Sequence, residues 1–373
     1  MISWSKFSAV GNEEKYLLDA LSSGWLSGGD YVLDLEDALT STFSTPKAYA
    51  VSSGTSALQL AYQTLDVTHG DEVVIPAFCF QAAANVAIQL GLRPVFCDVD
   101  EETWNQTVET IEQVITNKTV GIVVVHNYGV SAQIQQICKY AAKAGLWVIE
   151  DCAEAWFSKR GDRYVGQFGD ISTFSMHATK TIACGEGGVI LINDEALIDR
   201  AALIRSHGLA RQNRHYYHEL PGNNYRLSNL LCAVALAQLE KRHDILQDQR
   251  RNYRVYQELL RDHWAVRSQK ANSGGAQDEV WANAVCINFD ELEISRDELI
   301  ELLACREIEI RPGFYSASCL PYLSQFEAVP STCANHLAEN VIVLPTNASI
   351  EEGEARTVCT EIIEVINSSM KGR

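Results

Sequence analysis

Between residue 47 and about 195, short runs rich in Val, Ile and aromatic residues alternate with segments whose apolar residues recur every three or four positions. The strand-like runs are AYAVSS (48–53), EVVIP (72–76), PVFCDVD (94–100), VGIVVVHN (120–127), LWVIED (146–151), ISTFSM (171–176) and GGVILIND (187–194). Between them lie SALQLAYQTL, FQAAANVAIQL, VETIEQVITN and SAQIQQICKYAAKAG, which carry the helical period. Such alternation predicts an α/β fold with a mostly parallel seven-stranded sheet covered by helices on both faces. No helical pattern separates ISTFSM from VILIND, so one neighbouring pair of strands is predicted to be antiparallel.

Outside this stretch the pattern changes. The first 45 residues read as two short helices joined by Gly24-Trp25-Leu26-Ser27-Gly28-Gly29, and 225–262 reads as one long helical region. The polar, Gly-containing segment KANSGGAQDE (270–279) is the best linker. After it, WANAVCINF, a helix near 295–305, IEIRP, NVIVLP and a helix near 350–367 predict a smaller α+β domain. The chain therefore divides into a large domain over 1–260 and a small C-terminal domain over 261–373.

Composition narrows the class. The chain has 373 residues, 47% of them apolar, and 30 Lys plus Arg against 48 Asp plus Glu give a formal charge of −18. That much apolar content fills a large core and excludes disorder. The negative balance is the opposite of a nucleic-acid-binding surface, so no nucleic-acid partner is expected and any phosphate must be captured locally. Eleven cysteines are spread without a CxxC pair, which reads as reduced thiols. The start, MISWSKFSAV, lacks a signal-peptide pattern, and no stretch reaches the roughly 18 apolar residues of a membrane span. A cytoplasmic protein with no membrane association is expected.

Common signatures are missing: there is no GxGxxG, GxxxxGK[ST], HExxH or GxSxG. The two histidines of His215-Tyr216-Tyr217-His218 have a metal-compatible spacing but no third ligand nearby, so no metal is expected. Three other features carry chemistry. Asp151 ends the apolar strand LWVIED, at the strand end that faces the ligand crevice in open α/β sheets. There it either holds a cationic ring nitrogen or caps a helix; Glu154 could be its capping-box partner. Lys180 lies among small and apolar residues in FSMHATKTIACGEGG, a setting that desolvates an amine and frees it to form an imine. Ser52-Ser53-Gly54-Thr55-Ser56 joins a strand to a helix, which makes either an ordinary cap or an anion site. A phosphate cradle, a strand-end carboxylate and a buried lysine together fit pyridoxal phosphate.

With these residues in view, the chain resembles the DegT/StrS-type nucleotide-sugar aminotransferases of the fold type I pyridoxal-phosphate group. The resemblance runs through GWLSGG, SSGTSAL, GDEVVIPAFCF, RPVFCDVD, VVHNYG, VIEDCAEA, TFSMHATK, GEGG, NNYRLSNL and IRPGFY, in that order. It implies that Lys180 forms the Schiff base and moves the proton, and that Asp151 pairs with the pyridine nitrogen. Gly54, Thr55 and Ser175 would bind the phosphate, Phe80 would stack on the ring, and Glu154 would lie near the ring hydroxyl. Asn224 would reach the phosphate of a neighbouring subunit's cofactor, making a homodimer with shared active sites.

Relatives with His in place of this lysine dehydrate sugars, so Lys180 marks a true aminotransferase. The pattern is most similar to perosamine synthase-like 4-aminotransferases, which implies L-glutamate as donor and a nucleotide-linked 4-keto-6-deoxy sugar as acceptor. Tyr315-Ser316-Ala317-Ser318 lacks the Pro and His common after this tyrosine. That departure keeps open a C3-keto sugar, an octulosonate or a cyclitol as acceptor, and a non-enzymatic cofactor-binding regulator remains the rival. His126, His177, Arg226 and Arg311 are substrate candidates, each with a structural alternative: a bonded core histidine, a packed histidine, or an ion pair.

Overall fold

The computed structural model describes residues 1–210, 215–271, 276–326, 329–346 and 349–371. The chain opens with helices α1 (Glu13–Ser22) and α2 (Asp30–Phe43). The α/β region then runs β1 (Lys47–Val51), α3 (Gly54–Thr64), β2 (Glu72–Pro76), α4 (Ala82–Gln89), β3 (Arg93–Cys97), α5 (Val108–Glu112), β4 (Thr119–Val125), α6 (Ile134–Ala144) and β5 (Trp147–Asp151). A short ribbon, β6 (Lys159–Arg160) and β7 (Arg163–Tyr164), precedes β8 (Ile171–Ser175) and β9 (Gly188–Ile192).

The seven long strands form one sheet in the order β1-β9-β8-β5-β4-β2-β3. Its strands are almost wholly buried, as expected where helices cover both faces. One antiparallel pair was expected, but two are found, because β9 runs against both β8 and β1. A single reversed strand inside a sheet makes two antiparallel contacts. Only the chain neighbour, β8, is visible from the local pattern.

The helical region after 225 is two helices rather than one, α8 (Asn229–Glu240) and α9 (Arg242–Leu260), interrupted at Lys241. They serve different cores. Apolar α8 packs beneath α1 and α2, whereas amphipathic α9 packs on the last helix.

Beyond α9, β10 (Val266–Ser268), β12 (Ala284–Ile287), β13 (Arg311–Pro312) and β14 (Val341–Val343) form a second sheet in the order β10-β12-β14-β13. Helices α10 (Arg296–Cys305), α11 (Thr332–Asn340) and α12 (Glu352–Ser368) complete this part. The centre of the linker, 272–275, lies outside the described residues, and just past it β11 (Ala276–Gln277) pairs with β6 of the large sheet's side. Val255, Tyr256 and Leu260 of α9 share a core with α10 and α12, and Ile2 pairs with Ile308. The second sheet's core thus draws on residues from before 261. No described helix is long and apolar enough to cross a membrane.

Candidate active site

The carboxyl ends of β1, β5 and β8 bring the 52–56 turn, Asp151 and Ser175 to one edge of the sheet, where open α/β folds bind ligands. Ser53 caps α3 by accepting the Ser56 amide at 3.0 Å. That leaves the first-turn amides of Gly54 and Thr55 as donors at a helix N-terminus. A Cβ added to Gly54 would lie 3.0 Å from the Ser175 Cβ, so the missing side chain lets the turn pack directly against Ser175. Gly188 closes in from behind: its Cβ would meet the Ser53 carbonyl carbon at 2.4 Å. Backbone this tightly packed holds the turn in one place.

Asp151 is the last residue of β5 and is buried, with Oδ1 accepting the Ala153 amide at 3.1 Å. The chain then runs into turns rather than a helix, so neither Asp151 nor Glu154 is a helix cap. Burial raises the Asp151 pKa above the ordinary aspartate value, and the nearby Lys180 charge partly offsets it.

The Lys180 side chain is 13% exposed, and its Nζ lies 3.5 Å from Glu154 Oε1. Burial lowers the Lys180 pKa and raises that of Glu154, while each partner's charge works against the shift. The other Glu154 oxygen accepts the Tyr128 amide at 2.8 Å. The result is an amine that gives up its proton more readily than a surface lysine, held beside a fixed carboxylate.

The remaining candidates are dispersed. Phe80 is 62% exposed beside Phe314, their ring centroids 6.2 Å apart. Asn224 is exposed, and its Oδ1 accepts from Arg226 Nε at 2.9 Å. Arg226 lines a separate groove of about 1420 Å³ that also includes Trp25, Tyr49 and Arg205. His177 is exposed and bonds Thr179 Oγ1 at 3.0 Å. Arg311 lies on β13, bonded to Glu309 at 3.1 Å and stacked 4.1 Å from the Trp4 ring centre.

His126 does not face the crevice. It is fully buried, its Nδ1 accepts the Ala132 amide at 3.0 Å, and its Nε2 lies 3.3 Å from Glu150 Oε2. Nδ1 is therefore the unprotonated nitrogen and Nε2 the donor. Among the described residues, His126, Glu150 and Cys152 are the group close enough to share a metal ion. Glu150 already accepts the amides of Gly166, Phe168 and Gly169, and His126 Nδ1 that of Ala132, so two of the three are engaged by the protein itself.

Two residues to which the sequence assigns no role stand at the Lys180–Glu154 pair. Trp281 lies with its ring centre 3.6 Å from Lys180 Nζ. Tyr128 supplies the amide that orients Glu154, stacks on Phe314 with centroids 4.7 Å apart, and accepts the Phe314 amide at its hydroxyl. Nothing in the local pattern ties either to Lys180, since the contacts come from distant chain segments.

The donor set fits pyridoxal phosphate at each of its reactive ends. The helix-start amides of Gly54 and Thr55 beside the Ser175 hydroxyl suit the phosphate, the buried Asp151 carboxylate suits a cationic ring nitrogen, and the desolvated Lys180 amine suits an aldehyde. Fold and site together define a pyridoxal-phosphate enzyme on an open α/β sheet. Residues 8–363 match the DegT/DnrJ/EryC1/StrS aminotransferase family, and the chain belongs to that family, whose aminotransferases depend on this cofactor.

It is 37% identical over 359 residues to the GDP-perosamine synthase of Escherichia coli O157:H7, covering 96% of each chain. Identity is 35% over 364 residues to the GDP-perosamine synthase of Vibrio cholerae, covering 96% of this chain and 98% of the relative. The aminotransferase TlmJ from Streptoalloteichus hindustanus has the same fold, with a TM-score of 0.93 at 24% identity over 99% of both chains.

Proposed function

We propose that this protein transfers the amino group of L-glutamate to the C4 keto group of a GDP-linked 4-keto-6-deoxy hexose, in two half-reactions at one site. The observation that carries this is the desolvated Lys180 amine 3.5 Å from Glu154, in a chain 37% identical to a GDP-perosamine synthase along nearly its whole length. When bound, pyridoxal phosphate supplies an aldehyde that condenses with amines and a ring that accepts the electron pair left as a proton departs.

Lys180 takes the proton from the amine-bearing carbon of glutamate, and in the second half returns a proton to C4 of the sugar. Asp151 holds the ring nitrogen, Glu154 orients the lysine and lies near the ring hydroxyl, and Phe80 lies on the ring face. Gly54, Thr55 and Ser175 bind the phosphate. The large unit, 1–260, holds the cofactor, beside a small C-terminal α+β unit, 261–373. His177, Arg226 and Arg311 stay as candidates for the sugar-nucleotide end; His126 is left to its structural pair.

The test supplies holoenzyme with ¹⁵N-labelled L-glutamate and, in turn, the GDP-, UDP- and dTDP-linked C4- and C3-keto sugars, an octulosonate and a cyclitol. A product carrying ¹⁵N at C4 of the GDP sugar is expected. Label transferred only to a C3-keto sugar, an octulosonate or a cyclitol would overturn the acceptor and implicate the altered 315–318 segment. No transfer to any acceptor would revive the regulator. GDP at about 100 times its Kd should also stabilise the protein by about 2.7 kcal/mol, more than UDP or dTDP at equal concentration.

The same reading makes the enzyme a cytoplasmic homodimer. All eleven cysteines are free thiols, which suits a reducing compartment. Leu18, Leu21, Trp25 and Leu33, on α1, α2 and their connecting turn, are each more than half exposed, an apolar set that a second copy would cover. Asn224 is exposed and serves the partner's phosphate. If so, mixed dimers of Lys180→Ala and Asn224→Ala chains contain one intact site. Subunit exchange should raise activity above that of either variant alone; a simple average of the two would overturn site sharing.

A further inference from the structure

The Lys180 amine has neighbours of opposite character. On one side is Glu154 Oε1 at 3.5 Å; on the other is the Trp281 ring, its centre 3.6 Å away. Trp281 leads into β12 of the small unit and is only 6% exposed. It is held from several directions. Its indole N–H donates to the Thr179 carbonyl at 2.6 Å, its amide donates to the Tyr128 carbonyl at 3.0 Å, and its carbonyl accepts the Thr346 hydroxyl at 2.5 Å. The Trp4 ring meets it edge to face, with centroids 6.1 Å apart. A ring pinned in this way is a fixed plate.

An indole face attracts a cation through its quadrupole, more strongly where water is excluded, yet it has no site that takes the proton. A second carboxylate in its place would hold an ammonium too firmly to let it act as an acid. We propose that Trp281 is a positioning residue for Lys180: its ring face and Glu154 form a berth for the lysine ammonium whenever the lysine is not bonded to the cofactor. The proton that Lys180 has taken from carbon then stays at the site until it is returned. The catalytic use of the berth rests on the reading of Lys180 given above, but the berth itself belongs to the cofactor-free protein.

Burial of Lys180 disfavours its charge, and the charged groups facing it, Glu154 and Asp151, favour it; the ring acts in the same direction as they do. Removing the ring face while keeping an apolar side chain should therefore make the amine neutral at lower pH. The experiment pulses cofactor-free protein with an amine-acylating reagent across a pH series and quantifies the Lys180 peptide by mass spectrometry. The readout is the rate at pH 7 divided by the alkaline plateau rate, which cancels simple accessibility.

For Trp281→Leu this ratio should rise roughly 3- to 10-fold over wild type. Trp281→Phe, which keeps a face, should fall between the two. An unchanged or lower ratio in Trp281→Leu would overturn the berth. A second measurement needs no Trp281 variant. In ¹³C-lysine-labelled wild-type protein, the methylene signals lost in Lys180→Arg should be shifted upfield by the ring current, and unshifted signals would also overturn it. Failure of these tests leaves the aminotransferase reading intact, whereas a fully active Lys180→Ala protein would remove that reading without touching the berth.

Discussion

The Lys180→Ala protein is expected to lose amino transfer by roughly 10⁴-fold while remaining folded. A positioned general acid–base is worth roughly 10² to 10⁴ by itself, and under the proposed function the same residue is also the amine that receives the aldehyde. Folding should survive because the change removes a charge from a buried place where burial opposes it. Glu154 loses its cationic neighbour but keeps the Tyr128 amide, so its carboxyl moves further toward the neutral form. Lys180→Arg separates charge from proton transfer. It keeps the cation between Glu154 and Trp281, but a guanidinium does not deprotonate near neutral pH, so it should be about as inactive as alanine. The measurement is single-turnover formation of 2-oxoglutarate from L-glutamate with Tm recorded in parallel. Either variant within tenfold of wild type would remove Lys180 from the mechanism.

The parts of this site that were legible in the sequence are those set by single-strand chemistry. Asp151, Ser175 and the 52–56 turn each follow a β-branched run, and in an α/β sheet the ends of such runs converge whatever their separation along the chain. Lys180 stood out because small residues surround it on both sides. What escaped depended on contacts between distant segments. Trp281 reaches Thr179 across 102 residues, and its own stretch reads as an ordinary strand.

His126 also directly follows a strand, β4, yet its ring is claimed by Glu150, whose other partners lie at 166–169. No local spacing encodes that pairing. The fold divides in the same way. All seven strands of the large sheet follow from composition, but the second antiparallel neighbour of β9, the break at Lys241 and helix α11, whose sequence TCANHLAEN is mostly polar or small, are decided by packing.

Asp151→Asn should separate stability from chemistry most cleanly. The asparagine oxygen can still accept the Ala153 amide, so local geometry is kept while the negative charge is lost. A neutral partner no longer favours a protonated ring nitrogen, and the loss of one preorganised electrostatic group in a dry site costs roughly 10²–10³ in rate. Stability should move the other way in cofactor-free protein. Burial raises the folded-state pKa of Asp151 above its unfolded value near 3.9, so between those two values the folded state binds more protons and stability falls as pH rises. Above the folded-state value that cost is constant, and at neutral pH wild type bears all of it while the asparagine variant bears none. The Tm of cofactor-free Asp151→Asn at pH 7 should therefore equal or exceed that of wild type, with the difference vanishing toward pH 4. Reconstitution with N-methylated pyridoxal phosphate, whose ring nitrogen is permanently cationic, should recover part of the lost rate. A variant that is both less stable and unaffected by the methylated cofactor would make Asp151 a structural residue.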